Sequence, residues 1–106
     1  MTGPKKSRRE LLEAFVAEKP DDAFSRYGLA LDYMNSGDSA NAELQFRELL
    51  RRNPAYVPGY QMLGQLLAKQ SRGADARAVL AEGISAAASA GNGHAQSEME
   101  GLLAEL

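Results

Sequence analysis

Pro20 and Pro54 stand 34 residues apart and bracket a stretch that reads as one helix, one reversal and a second helix. Proline lacks the amide a helix interior needs and disfavours helical geometry in the residue before it, so each proline closes a helix. Between them Leu29, Ala30 and Tyr33 recur at helical spacing, a turn falls at Asn35-Ser36-Gly37-Asp38, and Ala42 and Phe46 follow on a second helical face. The same interval then repeats. Advancing by 34 places Leu63, Gly64, Leu67, Ala76 and Leu80 at equivalent positions, with Tyr60 where the first unit has Arg26. Moving back by 34 sets Leu12 under Phe46 and Pro20 under Pro54.

An aromatic, then Leu-Gly, Tyr, Ala, Phe and Pro at a 34-residue period is the pattern of the tetratricopeptide repeat. Over residues 8–90 the chain resembles that family, departing from it at Arg26 and at Ala88, where a third proline is expected. The resemblance implies an all-α fold of about six helices, antiparallel helix–turn–helix units stacked as a short right-handed solenoid. Residues 1–6 are then a flexible lead-in and 7–106 a single domain. Within it, 7–20 is an N-terminal half-repeat, 21–54 and 55–90 are the two full repeats, and 91–106 is a C-terminal capping helix.

Local signals agree with that division. Ser7-Arg8-Arg9-Glu10 has the form of a capping box, so the first helix begins there, with Leu11, Leu12, Phe15 and Val16 as its apolar stripe. Its register is that of a unit's second helix without the first, which makes it an N-terminal cap. Asp21 or Asp22 caps the next helix, which runs to Asn35, and Gly37 supplies the left-handed residue of the reversal. The third helix starts near Asp38 or Ser39 and buries Ala42, Phe46, Leu49 and Leu50, while Glu43 and Arg47 are spaced for an ion pair. Val57-Pro58 opens the fourth, which packs through Tyr60, Leu63, Gly64 and Leu67. After a turn at Ser71-Arg72-Gly73 the fifth begins near Ala74 and continues to about Ala90. Gly91-Asn92-Gly93 breaks it, and the last helix carries Ala95, Met99, Leu102, Leu103 and Leu106 on one stripe.

Composition narrows the chemistry. With no cysteine there is no thiol catalysis, disulfide or cysteine metal site, which fits a reducing compartment and an expected cytoplasmic location. No run of 18 or more apolar residues spans a membrane. The basic N-terminus has no apolar segment after it, which argues against a secretory signal. His94 is the one histidine and lacks a second ligand for a metal. Gly59 and Gly64 have the outer spacing of a phosphate loop, but Gln65-Leu66 follows where lysine and a hydroxyl residue are required. Asp21-Asp22 reads as helix caps, with no general base or metal partner in reach for catalysis. No catalytic residue, metal or cofactor is expected, and the chain is not expected to be an enzyme.

Binding remains. The resemblance implies that the first helix of each unit lines a concave inner surface. It would carry Phe24, Tyr27, Gly28, Leu31, Met34 and Asn35 from one unit and Gln61, Met62, Gln65 and Lys69 from the next. Large apolar and flexible side chains beside amide donors suit an extended peptide or a partner helix. Tyr27, Leu31 and Met62 stand where some family members place a carboxylate clamp for chaperone tails, so an acidic tail is not the expected ligand. Two alternatives remain: a homodimer that hides these faces, and a nucleic-acid or anionic-surface adaptor using Lys5, Lys6, Arg8 and Arg9. Net charge of −2 makes nucleic acid the less expected partner.

Overall fold

Helix ends are set by the signals in the sequence, and they divide the described residues into six helices. In order these are α1 (Arg8–Glu18), α2 (Ala23–Asn35), α3 (Ser39–Arg52), α4 (Val57–Lys69), α5 (Gly73–Ser89) and α6 (Gly93–Ala104), with no strand among the described residues. This computed structural model describes residues 6–106, so the expected lead-in other than Lys6 lies outside the described residues. At the start of α1 the Ser7 hydroxyl accepts from the Glu10 amide while the Glu10 carboxylate accepts from the Ser7 amide, each at 3.2 Å. Asp22, Asp38 and Asn92 cap α2, α3 and α6 in the simpler way, each accepting from the amide three residues on. Orphan amides at four helix starts are thereby satisfied by side chains.

The reversals reach the same backbone shape with different residues. Gly37 and Gly91 take positive φ (83° and 69°), as a sharp helix exit requires. Between α4 and α5 the left-handed residue is Ser71 (φ 60°), not the glycine that follows, and Gly73 opens α5 one residue before the expected Ala74. Ser71 lies one 34-residue period after Gly37. The period therefore identifies the reversal better than the residue type does.

Packing within each unit is close because glycine and alanine stand where helices meet. A Cβ on Gly64 would fall 2.5 Å from Leu80 Cδ2, and one on Gly83 would fall 2.5 Å from the Tyr60 Cβ and 2.7 Å from the Met99 sulfur. So α4, α5 and α6 converge where Gly83 removes a side chain. Ala42, Phe46, Leu49, Leu63, Leu67, Ala76, Leu80, Ala87 and Met99 are fully buried in one continuous core.

Arg26, the departure from the family's aromatic, proves to be a replacement in function. Its guanidinium is buried, only 7% exposed, and donates to the Pro20 carbonyl at 3.1 Å and to Gln45 Oε1 at 2.8 Å. One unit later the Tyr60 hydroxyl donates to the Pro54 carbonyl at 2.7 Å. Each side chain holds the carbonyl of the proline six residues before it, by a donor carried on a different scaffold. Burial, and then the charge of Arg52, pulls the Arg26 pKa below its ordinary value.

The helices stack as a slab of 55 × 28 × 20 Å. Its radius of gyration, 14.9 Å, exceeds the value of about 13 Å for a compact domain of this size. The two ends differ. In α6, Ala95 and Met99 are buried as expected. In α1 no residue is buried, and Leu11 and Phe15 of its expected packing stripe are 48% and 54% exposed. Helical spacing says which residues share a face; it does not say that a helix lies opposite them.

Candidate partner-binding site

α1 is held to α2 mainly by polar pins. Arg9 Nε donates to Asp32 Oδ2 at 2.8 Å and Arg9 Nη2 to the Ser36 hydroxyl at 2.8 Å, with the guanidinium 4.1 Å over the Tyr33 ring. The Tyr33 hydroxyl, in turn, donates to Glu13 at 3.1 Å. The hydrogen bond to Asp32 raises the Arg9 pKa further. Arg9 is therefore a structural tie, which removes it from the exposed basic cluster that an anionic surface would use. Of that cluster, Lys5 lies outside the described residues.

Besides these pins, α1 and α2 together line an apolar cleft of about 400 Å³. Its walls are Arg8, Leu12 and Phe15 from α1 and Phe24, Ser25, Tyr27, Gly28 and Leu31 from α2. Phe24 is 79% exposed, the largest exposure of any big apolar side chain among the described residues. Gly28 lies at the floor, where a Cβ would come 3.3 Å from Leu12 Cδ2, so its lack of a side chain lets α1 approach α2. Tyr27 is half-buried and leans on Tyr56 and Phe46, with ring centroids 5.4 and 6.3 Å away. Burial raises its phenol pKa.

The expected inner-surface residues thus fall into separate places. Phe24, Tyr27 and Leu31 line the apolar cleft. Gln61, Gln65 and Lys69 line a second one of about 500 Å³, whose opposite wall is Glu98, Gly101, Leu102 and Glu105 of α6. Gln61 donates to Glu98 at 2.9 Å across it, and His94, exposed at the start of α6, pairs with the same carboxylate. Met34, Asn35 and Met62 line neither cleft. Sequence reasoning overlooked the contribution of α1, because Leu12 and Phe15 read as the packing stripe of a cap and Arg8 as one of the basic N-terminal residues. The signal was present in Phe24, which is large and apolar where the next unit has Pro58.

Elsewhere Glu43 ties the first unit to the second. It accepts both terminal nitrogens of Arg72, at 2.5 and 3.1 Å, as well as Arg47 Nε at 2.8 Å. Arg72, the larger cause, holds the Glu43 carboxyl below its usual pKa. Among the described residues no group of His, Cys, Asp or Glu side chains converges as a metal site.

Helix pairs stacked into a slab, with apolar side chains left open beside the first helix of a unit, define a helical-repeat protein. Comparison with known proteins specifies the kind. No family model matches this chain. It is 33% identical over 99 residues to a TPR repeat-containing protein of Pseudomonas aeruginosa, with 92% of each chain covered. Among solved structures it is similar to a tetratricopeptide repeat domain protein from Salinibacter ruber, determined by solution NMR (32% identity, TM-score 0.77, 82% of this chain and 88% of that one). It is also similar to a protein from Bordetella parapertussis (28% identity, TM-score 0.79, 95% of this chain and 88% of that one). The chain belongs to the tetratricopeptide repeat family. That fold is one of protein–protein interaction, and no described helix is long and apolar enough to cross a membrane.

Proposed function

We propose that the chain is a non-enzymatic interaction module that binds a peptide or partner helix on the inner side of α2. The observation that carries this reading is the apolar cleft, whose Phe15 and Phe24 rings stand open beside Leu12 and Leu31. Exposed apolar surface gathered in one concavity is the usual mark of a partner site. In this reading Phe24, Tyr27 and Leu31 hold the partner's apolar groups and Met34 and Asn35 extend the surface along α2. Gln61, Met62, Gln65 and Lys69 form a mixed flank. A chain without cysteine suits a reducing compartment, and the cytoplasm is where we place its activity.

The test is Phe24→Ser, a change at an exposed ring that leaves the core intact. Capture of the native partner should weaken by about tenfold or more, as for an anchor residue, with helical circular dichroism unchanged. Lys69→Ala should weaken it by no more than about twofold, as for a rim residue. Undiminished capture by the folded Phe24 variant would contradict the proposed surface.

A further inference from the structure

The second repeat shows what kind of object fits the apolar cleft. By the 34-residue register α1 and α5 are both second helices of a unit, and α2 and α6 are the helices that follow them. Against α5 and α6 lies α4: Tyr60 Cβ sits over Gly83, Gly64 lies under Leu80, and Gln61 bonds Glu98. Against α1 and α2 the same place is the apolar cleft, and no described helix stands in it. Two repeats back from Leu80 and Gly83 are Leu12 and Phe15, both of them cleft walls. We infer that the cleft's occupant is an amphipathic α-helix of a partner protein, docked against α1 and α2 as α4 docks against α5 and α6. This rests on the reading of the cleft as the partner site and says what enters it.

The differences between the two places describe that helix. Leu12 matches Leu80, which tolerates only Gly64 opposite it, so the partner carries a small residue there. Phe15 matches Gly83, whose empty space receives Tyr60, so the large residue has changed sides and the partner is small at this position too. Tyr60 and Gly64 are one turn apart, which places small residues at i and i+4 on the partner. Gln61 and Gln65 face Glu98 and Leu102 of α6 from α4, and two repeats back these places hold Ala30 and Met34 of α2, so the partner's residues at i+1 and i+5 are apolar. Arg8 matches Ala76, one turn beyond Leu80 in the antiparallel register, and calls for an acidic residue at i+8.

A synthetic helix of about 18 residues tests this, long enough to hold helical structure with good formers at the remaining positions. It carries alanine at i and i+4, leucine at i+1 and i+5, and glutamate at i+8. Its control has the same composition with a proline moved to the centre, which breaks the helix. Isothermal titration should show the intact probe binding at least about tenfold tighter than the control, with Phe24→Ser and Arg8→Glu each lowering its affinity by about tenfold. Leucine in place of the two alanines should abolish binding. Equal affinity for the proline control, with the loss on Phe24→Ser retained, overturns the helix and leaves the cleft as a site for extended peptide. Affinity indifferent to Phe24→Ser overturns the cleft and the proposed site with it. A dimer in sedimentation of the protein alone, dissociated by Phe24→Ser, also overturns the inference, because the occupant is then a second copy of the chain.

Discussion

The two ends of the stack use glycine at a helix contact for opposite purposes. At the C-terminal end Gly83 is buried between Tyr60 and Met99, and its missing side chain lets three helices close into a solid core. At the N-terminal end Gly28 meets only the outer methyl of Leu12, and the helices beside it remain parted around a cleft. One end is closed by an internal helix and the other keeps an open apolar cleft. Both are built from the same repeated pattern, so the pattern dictates the helix pair but not whether its free face is covered.

The sharpest way to break that contrast is to make one substitution at both ends. Gly83→Ala should destabilise the protein by about 2 kcal/mol, because overpacking against a backbone-proximal carbon outweighs the gain in helix propensity. Gly28→Ala meets a flexible methyl at 3.3 Å that can move aside. It should therefore be stabilising by about 0.5 kcal/mol, part of the propensity gain of alanine over glycine. Urea unfolding of both variants reads the two signs. Equal losses would mean that the N-terminal contact is as tightly closed as the C-terminal one.

A smaller effect concerns how the first unit is joined to the second. Arg72 lowers the Glu43 pKa, and Arg51 and Arg52 hold Glu48 down to about 2. Carboxyls depressed in the folded state bind fewer protons folded than unfolded. Their stabilisation is therefore complete above the ordinary value near 4.5 and is lost as pH falls through the folded values. The thermal midpoint should be flat above about pH 5 and fall steadily toward pH 2. Glu43→Gln should lower the plateau slightly and make the decline shallower. The two carboxylates are only partly buried, so added salt should reduce the effect. An unchanged acid profile in that variant would show that the Glu43–Arg72 tie contributes nothing measurable.

Much of the fold was legible because helix ends are local chemistry. Ser7 with Glu10, Asp22, Gly37 and Pro54 each act on the backbone within a few residues, and each acts where the sequence places it. Ser71 reads only as part of a turn, because a serine at positive φ has no compositional signature; its position one period after Gly37 is what marks it. The role of Arg26 was equally hidden, since an arginine and a tyrosine share a hydrogen bond to a carbonyl but no resemblance in hydropathy.

The candidate site was less legible, for a different reason. Phe24, Tyr27 and Leu31 were recognisable as one face of α2, yet the wall opposite them comes from α1, and Gln61, Gln65 and Lys69 are drawn toward α6 instead. Which neighbour a face meets depends on how many units precede and follow it. Periodicity within one helix carries no record of that. Likewise Arg9 reads as one of four clustered cations, and only the fold brings Asp32, Tyr33 and Ser36 around it.

The most direct measurement exploits a feature of the composition. The chain has three phenylalanines, of which Phe15 and Phe24 line the cleft and Phe46 is fully buried. Uniform labelling with 4-fluorophenylalanine therefore yields two fluorine signals from the cleft and one from the core. With a soluble paramagnetic agent, the Phe15 and Phe24 signals should broaden while Phe46 stays sharp, and saturating helical probe should protect the first two together. If the agent leaves Phe15 and Phe24 as sharp as Phe46, or if the probe binds without protecting them, the cleft is not the open docking surface described here.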